Sequence, residues 1–150
     1  MIAYVGIDAH TTNYTLATRL EGSREAVNVN TYSPVISNII NYCKAIIKEY
    51  GNDTEIILGY EADSLGFKLR RDLEKHGLKC LILAPTSIPG TELNRRRKKK
   101  DDKRDAKAIA KALINSDYSE VYMPDEEDEA VRDYIRMRED HRRQLKEIKQ

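Results

Sequence analysis

Four carboxylates stand where an apolar run ends or a helix begins. Asp8 closes Ile2-Ala3-Tyr4-Val5-Gly6-Ile7, Glu61 closes Ile56-Ile57-Leu58-Gly59-Tyr60, and Asp102 and Asp105 open a helix-like stretch. Burying a carboxylate at the end of a hydrophobic strand is expensive unless something pairs with it. Clustered carboxylates also repel one another, and a divalent cation relieves that repulsion. Mg²⁺ or Mn²⁺ favours such hard oxygen ligands, and two ions about 4 Å apart clamp the attacking and leaving oxygens of a phosphodiester. If the four converge, the chemistry they point to is phosphoryl transfer.

Singly, each has an ordinary explanation. Asp102 and Asp105 suit a capped helix start, Asp8 a strand-to-turn junction, and Glu61 a solvated sheet edge. Together they carry more, because Asp102 and Asp105, three residues apart, share one helical face. Gly6 lies on the strand face of Asp8, where it is expected to leave open space. His10, two residues after Asp8, either assists the chemistry or is simply structural or solvated; the sequence favours the second. His10, His76 and His141 are scattered, and no Cys/His set has zinc-site spacing.

Directly before the last two carboxylates lies a basic block, Arg95, Arg96, Arg97, Lys98, Lys99 and Lys100, extended by Lys103 and Arg104. The bland reading is a solvated loop. Nucleic-acid binding is the stronger expectation, because the charge adjoins the acidic positions. If all six consecutive residues met DNA phosphates, log affinity would fall against log salt with a slope of about −5.

The elements needed to position these groups are readable. Residues 2–7 form a short buried strand. Residues 13–20 and 25–30 alternate around the turn at 21–24, completing an antiparallel meander. A helix follows, with Ser33 as N-cap, Pro34 at the first helical position and Gly51 closing it. Its stripe is Ile36, Ile39, Ile40, Cys43, Ile46, Ile47 and Tyr50. Residues 55–60 form a fourth strand, 64–76 a second helix and 79–83 a fifth strand. This order predicts an α/β mixed sheet flanked by helices. The pattern lapses from Ala84 to Lys100, a helix runs over 105–115, and residues 118–123 suggest a further short strand.

After Pro124, five acids open a helix whose Val131, Tyr134, Leu145 and Ile148 follow alternating three- and four-residue steps, with Arg138 and His141 interrupting the seam. The expected division is a domain over 1–123 and the start of a helical coiled-coil arm over 124–150, in a chain that is the front part of a longer protein. Lys+Arg (26) and Asp+Glu (25) nearly cancel, so the clustering of charge says more than the net +1. Cys43 and Cys80 sit in apolar patterns, as small buried thiols do. No apolar run nears the roughly 18 residues of a membrane span, and no signal-like N-terminus is present, so a soluble, cytoplasmic protein is expected.

The segments Val5-Gly6-Ile7-Asp8-Ala9-His10, Gly59-Tyr60-Glu61-Ala62 and Lys100-Asp101-Asp102-Lys103-Arg104-Asp105-Ala106 resemble the three acidic motifs of the DEDD transposases of bacterial insertion sequences. These are bridge-RNA-guided recombinases related to pilin-gene inverting enzymes. Leu83-Ala84-Pro85 and the tail after Pro124 also match that layout. The resemblance implies a RuvC-like, ribonuclease-H-type fold, with Asp8, Glu61, Asp102 and Asp105 as catalytic metal ligands for Mg²⁺ or Mn²⁺. It implies DNA strand cleavage and rejoining in transposition, with DNA and a structured guide RNA as partners and a homo-oligomer formed through the arm. Such transposases carry a second domain with an attacking serine; Ser64, Ser87 and Ser116 lie in the first domain and do not take that role.

Two other classes compete. Residues 5–13 also resemble the first phosphate loop of actin-like ATPases and sugar kinases. That loop needs glycine where His10 stands, and no later glycine-rich phosphate loop follows. A nucleic-acid-binding and dimerisation module without turnover is the other alternative, its acids purely structural.

Overall fold

A computed structural model of the protein describes residues 1–62, 65–85, 88 and 101–148. Five strands, β1 (Ile2–Ala9), β2 (Tyr14–Leu20), β3 (Val27–Tyr32), β4 (Glu55–Glu61) and β5 (Lys79–Leu83), form one sheet in the order β3-β2-β1-β4-β5. The first three strands pair antiparallel, as tight connections allow, whereas β4 lies parallel to both β1 and β5. The helices are α1 (Ile36–Tyr50), α2 (Lys68–Lys75), α3 (Asp102–Asn115) and α4 (Glu126–Ile148).

Strand alternation divides the side chains between two faces. Ala3, Val5 and Ile7 of β1, Ile56, Leu58 and Tyr60 of β4, and Cys80 and Ile82 of β5 join the larger core, with Ile39, Cys43 and Ile46 of α1 and Leu69 and Leu73 of α2. The opposite face carries Tyr4, Leu81 and Leu83, packed against Ile109, Ala112 and Leu113 of α3. Gly6 and Gly59 pair on that second face, so α3 meets backbone there instead of side chains.

Several boundaries depart from the sequence reading. Ser33 is not the N-cap of α1: the helix begins at Ile36 after an extended Val35 that makes no side-chain cap bond. The Ser33 carbonyl and hydroxyl instead accept hydrogen bonds from Asn38 Nδ2 at 3.0 Å each. Gly51 does close the helix, with φ 111°, a backbone angle that favours glycine. Strand β3 lies two residues later than expected, and its pairing with β2 shifts register between Leu16 and Thr18, near Asn28 with its positive φ of 55°. Residues 118–123 supply no strand but a single bridge, Leu83 to Glu120, flanked by bonds from Ala84 N to Ser119 O and Val121 N to Ile82 O. Helix α3 starts three residues before the expected 105. Helix α2 starts at Lys68, later than the expected 64, a position outside the described residues. The block Arg95–Lys100 also lies outside the described residues.

Both cysteines are buried and unbridged. Burial pushes each thiol from 9.0 up to about 12. The folded chain therefore retains protons that the unfolded chain releases above pH 9, and folding stability falls as pH rises from there toward 12. Tyr42 and Tyr60, raised chiefly by burial, act in the same direction above pH 10. Urea unfolding should show a lower midpoint at about pH 10 than at about pH 8, with a shallower decline in the Cys43→Ala/Cys80→Ala double variant.

Candidate metal centre

The site begins with a missing side chain. A Cβ placed on Gly6 would stand 2.2 Å from Ala106 O and 2.5 Å from Ala110 N, so α3 lies directly on β1 at this point. The space expected beside Gly6 is filled by helix backbone. Asp102 precedes Ala106 by four residues and Ala110 by eight, on the stripe of α3 that faces the sheet. Asp8 follows Gly6 by two residues on the same strand face. The close contact therefore carries the start of α3 over the end of β1.

Each acid is locally supported. Asp8 lies within β1, opposite Thr15 of β2. Asp102 is in the first turn of α3, where the helix dipole favours negative charge. Asp101, not Asp102, is the N-cap, accepting from Lys103 N at 3.2 Å. Between β1 and β2 a turn is closed by His10 N donating to Asn13 O at 2.9 Å. That turn delivers two further side chains. His10 Nε2 lies 3.2 Å from Asp8 Oδ2 and 3.8 Å from Asp102 Oδ1. Asn13 Nδ2 donates to Asp102 Oδ2 at 3.2 Å.

Asp8, His10 and Asp102 each offer a ligand atom within 4.8 Å of the others. The side chain of Asp8 is 13% exposed and that of Asp102 34%, so the group is sunk at one end and open at the other. Asn13 Oδ1 is buried and accepts no hydrogen bond from the described residues. A buried acceptor beside a carboxylate pair suits a site that takes a hydrated cation. The donor set of two carboxylates and one imidazole fits a divalent ion.

Glu61 and Asp105 stand outside that 4.8 Å set. Ile7 pairs with Tyr60 in the parallel β1–β4 ladder, so Asp8 and Glu61 end adjacent strands at one level. They continue the face of the paired Gly6 and Gly59, and Glu61 Oε1 is buried. Asp105 is half-buried, one turn before the buried Ile109 on α3. Lys103 and Arg104 are exposed beside it. Sequence reasoning ranked His10 low and overlooked Asn13. The available signal was period two: Gly6, Asp8 and His10 alternate onto one face.

The arm stands apart from the sheet. Asp125 opens α4 by accepting from Asp128 N at 2.8 Å, and Arg71 of α2 pairs with Glu129 and donates to the Pro124 carbonyl. No residue of α4 is buried, and Val131, Tyr134, Ile135 and Leu145 are each at least half exposed. No described helix is long and apolar enough to cross a membrane.

A family model described as a transposase, of the DEDD IS110 type, matches residues 5–150. The chain is 34% identical over 143 residues to the transposase for insertion sequence element IS1533 of Leptospira borgpetersenii, covering 95% of this chain and 40% of that protein. It is 29% identical over 136 residues to the transposase-named y4qE protein of Sinorhizobium fredii, covering 91% of this chain and 34% of the other. The chain thus spans well under half of either relative. Thermus thermophilus RuvC, solved with a Holliday-junction substrate, superposes with a TM-score of 0.51 at 11% identity, over 81% of this chain and all of that one. At such low identity the likeness carries the fold, which is RuvC-like.

Proposed function

The chain belongs to the DEDD transposase family of the IS110 type, and from that membership we propose that it is the metal-binding catalytic domain of a DNA recombinase. The observation that supports this reading most is the meeting of Asp8 and Asp102, from elements 94 residues apart, within one group of ligand atoms. In this reading Asp8, Glu61, Asp102 and Asp105 hold Mg²⁺ or Mn²⁺. A divalent ion bound there supplies charge stabilisation at the phosphoryl oxygens and activation of the attacking oxygen. Asn13 fixes the Asp102 carboxylate, and Gly6 sets the depth at which α3 presents it. Lys103 and Arg104, with Arg95–Lys100, hold the backbone phosphates of DNA against the acidic pocket.

Residues 1–123 form the catalytic domain and 124–150 open an arm through which two copies pair. The functional particle also holds a structured guide RNA and works in the cytoplasm. The exposed Lys103 and Arg104 support one second reading, a module that binds DNA without turning it over.

Strand cleavage of end-labelled linear and branched DNA tests this. Nicking should require Mg²⁺ or Mn²⁺, vanish with a chelator and fall about 10²–10³-fold in Asp102→Asn, the scale seen on removing one group that stabilises a transition state. Equal cleavage by variant and parent would exclude the site. Salt-sensitive binding with no nicking would identify the binding module.

A further inference from the structure

We propose that His10 is a direct ligand of the bound cation, and that its imidazole makes the site prefer Mn²⁺ over Mg²⁺. This rests on the reading of the pocket as a divalent-ion site, but concerns a residue outside the four acids. The argument is geometric first. His10 Nε2 is 3.2 Å from Asp8 Oδ2, close to the roughly 3 Å that separates neighbouring ligands around an octahedral ion with bonds of about 2.1 Å. Its 3.8 Å separation from Asp102 Oδ1 is longer than such an edge, yet within reach of a shared ion after a small side-chain rotation.

The placement of the ring is built into the fold. The bond from His10 N to Asn13 O fixes the backbone of the turn, and Asn13 in turn holds Asp102. Thus one four-residue turn sets both the nitrogen ligand and one of the carboxylates. Asn13 Oδ1, buried and accepting nothing from the described residues, is an acceptor available to a water on the cation.

The chemistry then sets the preference. Mg²⁺ gives up water reluctantly and demands near-ideal octahedral geometry, whereas Mn²⁺, equally suited to carboxylates, belongs to the first-row transition ions and tolerates one imidazole among them. A pocket with one nitrogen among its oxygens penalises the first and suits the second. The competing role for His10 is a hydrogen-bond partner that only positions Asp8.

Calorimetric titration of the chain with MnCl₂ and with MgCl₂, paired with pulsed electron spin resonance of the Mn²⁺ complex, distinguishes them. The parent should show nitrogen coupling from a directly bound imidazole, altered on ¹⁵N labelling of histidine. His10→Asn should lose that coupling, and its Mn²⁺ preference over Mg²⁺ should shrink about tenfold, the lower end of losses seen on disturbing a metal site. Because the parent spectrum needs no variant, a poorly folding His10→Asn does not rescue the idea. Mn²⁺ bound without nitrogen coupling overturns the His10 proposal and leaves the acidic site standing. Failure of both ions to bind overturns this proposal and the reading of the pocket beneath it.

Discussion

Asp8→Asn removes the rise in melting temperature that Mn²⁺ confers on the parent chain. A ligand present at 100 times its dissociation constant, and bound only by the folded state, adds about 2.7 kcal/mol of stability. For a domain of this size each kcal/mol moves the midpoint by about 2–4 °C, so the parent should gain roughly 5–11 °C. Asn keeps the shape of Asp but offers the ion no charge, and Asp8 is the most enclosed of the carboxylates whose ligand atoms meet. An affinity loss of about 100-fold would leave the same concentration only at the new dissociation constant, where the gain is about 0.4 kcal/mol, near 1 °C. Differential scanning calorimetry at matched ionic strength measures this. Asp101→Asn is the control: Asp101 caps α3 next to the site without joining it, and Asn caps a helix as well as Asp does. Asp101→Asn should keep the full rise. An equal rise in Asp8→Asn would place the ion elsewhere.

Asp8 stood out in the sequence and His10 ranked below it because a strand end is easier to read than a turn. The sheet rests on runs such as residues 79–83, whose alternation Cys80 and Ile82 against Leu81 and Leu83 is realised on opposite faces of β5. An acid ending such a run is conspicuous, and both Asp8 and Glu61 were. Period two sets Gly6, Asp8 and His10 on one face, but turn closure has no comparable signature, so the approach of Asn13 depends on a backbone bond that no side-chain pattern records. Edge irregularity is similarly silent. The left-handed Asn28 inserts a register shift into β3, and a polar edge strand tolerates it without disturbing the buried set. The Ser33-Pro34 pair misled because it had every residue type a helix start requires, while Asn38 captured the serine in a local turn instead.

The open space expected at Gly6 was wrong for a deeper reason: a residue without a side chain fits an empty site or a completely filled one, and only the packing of α3 decides between them. That packing makes Gly6→Ala the most damaging small substitution expected in the sheet. The new methyl would meet Ala106 O at 2.2 Å and Ala110 N at 2.5 Å, and backbone atoms of a helix cannot rotate aside. The helix must lift from β1, at the upper end of the roughly 1–3 kcal/mol that overpacking costs. Gly59→Ala supplies the contrast. Its methyl would meet Leu83 Cδ1 at 2.8 Å and Leu113 Cδ2 at 2.9 Å, the free ends of side chains with other rotamers available. A denaturant series should therefore rank Gly6→Ala well below Gly59→Ala in midpoint at unchanged slope. Metal binding should follow the same order, since lifting α3 withdraws Asp102 from Asp8 and His10, whereas adjusting two leucine tips leaves the start of the helix in place. Equal stability and equal Mn²⁺ affinity in the two variants would show that the approach of α3 to Gly6 does not set the depth of the pocket.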